Sequence, residues 1–90
     1  MKARNMTEAS IILSEWPRNM RETIRVCLSR YRGGMTIDLR DWYSEAGMLK
    51  PGRKGIALSV KHLRRLETAI DTAIRIAEAE GILDAREAGQ

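Results

Sequence analysis

Residue types able to do covalent or acid–base chemistry are scarce in this 90-residue chain, which holds one histidine, His62, and one cysteine, Cys27. A nucleophile–base–acid set would have to be assembled from Ser59, His62 and a remote carboxylate, and Ser59 is better placed to cap a helix. One histidine and one cysteine also fall short of a structural zinc site. Catalysis, a metal, a cofactor and a small-molecule substrate are therefore not expected.

The chemistry that the chain does concentrate is electrostatic and aromatic. Sixteen Lys/Arg against twelve Asp/Glu give a net charge of +4, but the charge is unevenly spread. Residues 1–16 are neutral, residues 17–65 carry a net +8, and residues 66–90 carry −4. Three of the four aromatic residues, Tyr31, Trp42 and Tyr43, lie inside the basic block. Flat rings among Arg and Lys suit a single-stranded nucleic acid, whose bases stack on the rings while the cations follow the phosphates. Arg25, Arg30 and Arg32 line one candidate strand, and Arg40 lies on the next. Lys50, Arg53 and Lys54 cluster around Pro51-Gly52 and Gly55, where small residues let backbone amides approach an anion. That run lacks the Gly-Lys-Ser/Thr ending of a nucleotide-binding P-loop. Trp16 lies away from the basic block and reads as a packing residue. Lys61, Arg64 and Arg65 read as a solvated helix face.

The elements that must position these groups follow from periodicity. A short strand is expected over Ala9–Trp16, ended by Pro17-Arg18-Asn19. From Glu22, Ile24, Val26 and Leu28 alternate with Arg25, Cys27 and Ser29, and beyond Gly33-Gly34 the set Met35, Ile37 and Leu39 alternates with Thr36, Asp38 and Arg40. This predicts a hairpin over residues 22–43 turning at the glycine pair, apolar on one face and largely cationic on the other. Ser44–Gly47 is a connection, Pro51-Gly52 a turn, and Gly55–Leu58 a short last strand.

After Ser59 as N-cap, Leu63, Leu66, Ile70, Ala73 and Ala77 recur at helical spacing, widened by Ile74 and Ile76, and Gly81 supplies the stop. The helix is too long to be hidden by four short strands, so its stripe of Leu66, Ile70, Ala73, Ile74 and Ala77 is expected to pair with a second copy in a two-fold dimer. The domain organisation is a polar lead-in over 1–8, one binding domain over 9–81, and a polar tail over 82–90. No apolar run approaches the roughly 20 residues of a membrane span. The charged N-terminus is not followed by the apolar stretch of a secretory signal, and the lone cysteine fits a reducing compartment.

Tyr31–Leu58, and above all Ile37-Asp38-Leu39-Arg40-Asp41-Trp42-Tyr43 with Lys50-Pro51-Gly52-Arg53-Lys54-Gly55-Ile56, resembles the single-strand-binding domain of the transcriptional coactivator positive cofactor 4 family. With its flanks the similarity covers residues 10–75. The resemblance implies an α+β fold in which a strongly curved four-stranded antiparallel sheet precedes one long C-terminal helix, with a dimer formed through the helices. It implies stacking rings at Tyr31 and Tyr43 and basic contacts at Arg40, Lys50, Arg53 and Lys54. The family's bulkier tryptophan is replaced by Tyr43, with Trp42 one place earlier, so either ring is a candidate. The Ser-rich extension of eukaryotic members is missing, which makes the chain look like a prokaryotic or phage type.

The expected function is single-stranded DNA binding by a homodimer in transcription or on opened duplexes. Single-stranded RNA is a lesser alternative. A rival from another class is a module that docks acidic proteins of the transcription machinery. The expected location is intracellular: the cytoplasm or nucleoid of a prokaryote, or the nucleus of a eukaryote.

Overall fold

The structure, a computed structural model, describes residues 10–84. The expected lead-in over 1–8 and the end of the expected tail, 85–90, lie outside them. Four strands, β1 (Ile11–Pro17), β2 (Glu22–Tyr31), β3 (Gly34–Glu45) and β4 (Met48–Ser59), form a curved antiparallel sheet in the order β1-β2-β3-β4. A 3-10 turn, Val60–His62, and a helix, α1 (Leu63–Ala79), follow. The α+β class and the strand–strand–strand–strand–helix order are as the sequence implies. The chain divides into two compact units, one running to Val60 and the other starting at Lys61.

Alternation sets the β2–β3 register: Val26 faces Leu39, Leu28 faces Ile37, and Cys27 faces Asp38. The turn, however, falls on Arg32-Gly33 and not on the glycine pair. Both residues have positive φ, 52° and 80°, and Gly34 already opens β3 opposite Tyr31. Two positive φ values give the hairpin twist that matches the strands, and the register leaves two residues for the turn. Ala46-Gly47 repeats the pattern between β3 and β4, with φ 55° and 81°. Asn19 closes the β1–β2 connection, its Oδ1 accepting from the amides of Arg21 and Glu22 at 2.9 and 2.8 Å.

The largest departure is β4. Residues 48–59 form one strand that runs through Pro51-Gly52, where the sequence predicts a turn before a short strand over Gly55–Leu58. Arg40 pairs with Gly55 and Trp42 with Pro51, so Gly52, Arg53 and Lys54 bulge opposite Asp41 alone. Proline has no amide to donate and is tolerated on this edge strand beside a bulge. The bulge is held by a side chain from the neighbouring strand: Arg40 Nη1 donates to the carbonyls of Gly52 at 3.1 Å and Arg53 at 3.4 Å. The glycines admit the close approach of β3. A Cβ on Gly55 would lie 2.8 Å from the Leu39 carbonyl oxygen and 2.8 Å from Arg40 Cβ, and one on Gly52 would lie 2.9 Å from the Asp41 carbonyl oxygen.

Burial also departs from the alternation. The buried β2 residues are Cys27 and Ser29, on the face read as outer, whereas Val26 and Leu28 are half-buried and Leu39 and Ile56 are exposed. The polar face carries the Arg25–Glu15 and Arg40–Asp38 ion pairs on either side of Cys27, while the apolar face leaves Leu39 and Ile56 exposed within the sheet unit. Burial pushes the Cys27 thiol above its ordinary value, against a smaller opposing pull from Arg25.

In α1 no residue is buried. Ser59 is not its cap: the strand runs to Ser59, the 3-10 turn intervenes, and the N-cap position is His62, whose side chain makes no capping hydrogen bond. The stop at Gly81 is as expected. Its φ of 76°, with Gly81 N–H donating to Glu78 O and Ile82 N–H to Ala77 O, forms a Schellman motif.

Candidate nucleic-acid interface

The register distributes the candidate residues over both faces of the sheet. Tyr31, Arg25, Arg40 and Trp42 share the polar face, and Tyr43, Arg30 and Lys50 share the apolar one. Tyr31 and Tyr43, the two positions at which the resemblance implies stacking rings, are therefore on opposite sides. Tyr31 and Trp42 share a face, at its two ends, with Tyr31 eight residues along β2 from Thr23, the partner of Trp42. At the rise of a strand that is roughly 25 Å.

Several of the expected phosphate contacts are already engaged. Arg25 Nε donates to Glu15 Oε1 across the β1–β2 pair at 2.8 Å, and its guanidinium lies 4.2 Å from the centroid of the Trp42 ring. It is 15% exposed, and one face of Trp42 is spent on it. Arg40 makes a bidentate pair with Asp38, at 3.0 and 3.3 Å, besides holding the β4 bulge. Lys50 pairs loosely with Glu45 at 3.2 Å, both well exposed, which costs little to break. Arg32 sits on the hairpin turn with its guanidinium 5.2 Å from the Tyr31 ring centroid. Arg30, Arg53 and Lys54 make no ion pair among the described residues and are exposed. The exposed positive charge outside ion pairs thus lies at the hairpin tip (Arg30, Arg32) and on the bulge (Arg53, Lys54), while Arg25 and Arg40 frame the face between them.

Two side chains that the sequence reading passed over belong beside this set. Trp16, read as packing, is 45% exposed. Arg18, read as part of a strand break, reaches Asp41 with Nη1 2.5 Å from Oδ2, and that carboxylate is only 8% exposed. Neither could be found from spacing, because they reach β3 only across β2, and Arg18 and Asp41 are 23 residues apart. Among the described residues no group of three or more His, Cys, Asp or Glu is placed to hold a metal. No described helix is long and apolar enough to cross a membrane.

The same architecture occurs in solved proteins. A PC4 homolog from Burkholderia pseudomallei superposes with a TM-score of 0.66 at 22% identity, covering 76% of this chain and 93% of that one. A bacteriophage T5 homolog of the eukaryotic coactivator PC4, implicated in recombination-dependent DNA replication, gives 0.62 at 22% identity over 89% of each chain. MoSub1 in complex with DNA gives 0.57 at 28% identity, over 76% of this chain and 84% of that one. An RNA polymerase II transcriptional coactivator of Drosophila melanogaster is 32% identical over 54 residues, which are 60% of this chain and 49% of that protein, so the chain spans about half of that relative's length. Residues 18–69, more than half of the sequence, match the family described as Transcriptional Coactivator p15 (PC4), and the chain belongs to that family.

Proposed function

We propose that this protein binds single-stranded DNA without catalysing a reaction, through a domain spanning residues 9–81, and acts as a transcriptional coregulator or on opened duplexes. The observation that carries this reading is the polar face of the sheet. It presents Tyr31 and Trp42 at its two ends, with unpaired cations at the adjoining tip and bulge. The sheet unit from residue 10 to 60 holds nine basic and five acidic side chains, which favours a polyanion. The DNA complex formed by MoSub1, on the same fold, supports the same class of ligand. Arg30, Arg32, Lys50, Arg53 and Lys54 neutralise phosphates; Tyr31, with Trp42 or Tyr43, stacks bases; Arg25 and Arg40 contribute charge while holding the face in shape.

The working unit is a homodimer joined through Leu66, Ile70, Ala73, Ile74 and Ala77. Support comes from a helix without a buried residue, whose Leu66 and Ile70 are exposed. A nucleic-acid partner implies an intracellular site of action.

Fluorescence anisotropy of a labelled mixed-sequence 20-mer, single-stranded and then duplex, at two salt concentrations tests the reading. Tight binding with a single-strand preference is expected. If about 5 phosphates are neutralised, log affinity falls with log salt at a slope of roughly −3.5. Weak binding, equal on both forms, overturns the reading and moves the basic surface to acidic protein partners.

A further inference from the structure

We propose that a pocket on the apolar face, walled by Trp16, accepts one unstacked base of a bound single strand, with Arg18 and Lys54 taking the adjoining phosphates. This rests on the single-strand reading above and adds a ring that lies outside residues 18–69, the segment matched to the family. All four strands build the pocket. Trp16 comes from β1, Ile24 from β2, Leu39 from β3 and Ile56 from β4, and Trp16 is registered opposite Ile24 just as Leu39 is opposite Ile56. Its volume is about 280 Å³, below the range that holds a drug-sized ligand and roomy enough for one planar ring system.

Three observations point to a base and not to another occupant. The floor is apolar and open, with Leu39 and Ile56 43% and 53% exposed, so it gains by being covered. One wall is an exposed indole, the ring with the largest stacking surface. The mouth is cationic, because its lining sets Arg18, Arg40 and Lys54 against one carboxylate, the buried Asp41 paired with Arg18, and Lys54 makes no ion pair among the described residues. An aliphatic side chain would have no use for those cations, and a free phosphate would have no use for that floor. A nucleotide within a strand uses both.

Trp16 and Trp42 are the only tryptophans, so Trp42→Phe leaves Trp16 as the sole indole reporter. In that variant the emission is expected to be quenched by an unlabelled single-stranded 20-mer and left unchanged by an abasic 20-mer of equal length. Trp16→Ala is expected to weaken binding of the labelled 20-mer about 5- to 100-fold with an unaltered salt slope, and Trp16→Phe to recover most of the loss. Thermal unfolding of each variant separates this from misfolding. An emission unmoved while anisotropy reports saturated binding overturns the pocket and leaves the single-strand reading intact. No anisotropy change at all, in the parent protein as in Trp42→Phe, overturns both. An emission that shifts with protein concentration before any DNA is added identifies a second copy as the occupant and also overturns the proposal.

Discussion

On the proposed single-strand reading, Arg32 is the residue at which fold and ligand make opposed demands. It occupies a left-handed backbone conformation, φ 52°, that an unbranched charged residue adopts at a cost and that Asn adopts more readily. The charge sits at the hairpin tip beside Tyr31. Arg32→Asn is therefore expected to stabilise the fold by a few tenths to about 1 kcal/mol in denaturant titrations. The same change should weaken single-strand binding and flatten its salt slope by roughly 0.7, the share of one phosphate. A variant more stable and equally tight would remove Arg32 from the interface. Stacking and charge separate in a second pair of variants. Tyr31→Ala should cost about 1–3 kcal/mol of binding with the slope intact. Lys54→Ala, on the exposed bulge, should flatten the slope by roughly 0.7, with an unchanged melting temperature. Reversed signatures in that salt series would exchange the roles of the two residues.

At the scale of elements the β3–β4 pair decides the geometry, and its bulge depends on the absence of two side chains. Gly55→Ala would push a methyl group to 2.8 Å from the Leu39 carbonyl and from Arg40 Cβ, neither of which can retreat without disturbing the ladder. The expected loss is roughly 1–3 kcal/mol in thermal or denaturant unfolding. Single-strand affinity should fall with it, since Arg53 and Lys54 ride on the bulge. An Ala variant of parental stability would contradict the register. This bulge also marks how far the sequence can be read. The β2–β3 hairpin was legible because Ile24, Val26, Leu28, Ile37 and Leu39 repeat with the period of a pleated strand, a purely local signal. The Schellman stop at Gly81 was legible for the same reason. Pro51-Gly52 misleads because its strand is completed by Arg40, eleven residues upstream, whose guanidinium supplies bonds that no local pattern announces. The site divides in the same way. The types Tyr31, Trp42, Arg53 and Lys54 could be named from composition and placement, but the engagement of Arg25 with Glu15 and Trp42, and the pairing of Arg18 with Asp41, exist only through strand pairing.

For the whole molecule the governing fact is apolar surface without cover. Helix α1 buries no residue, and Ile70, in the middle of its stripe, is 50% exposed. A chain of 90 residues has little core to spare, and its described residues hold one buried apolar side chain, Cys27. Association is the direct physical remedy. In an isologous dimer every residue of the seam is counted twice. Full burial of an exposed isoleucine is worth about 1.5–3 kcal/mol, and half of Ile70 remains to be covered, so Ile70→Glu removes roughly 1.5–3 kcal/mol of association over the two copies before the cost of burying a carboxylate. That is about tenfold to a hundredfold in the dissociation constant, and the carboxylate adds to it. Sedimentation equilibrium should show this shift for Ile70→Glu and none for Thr72→Glu, which lies about 160° around the helix from Ile70. Equal dimerisation by both variants would show that the stripe is not the seam. A dimer seam that fails in Ile70→Glu while the sheet keeps its single-strand affinity would mean that one copy carries a complete site. A parallel loss of affinity would mean that the strand is held between two.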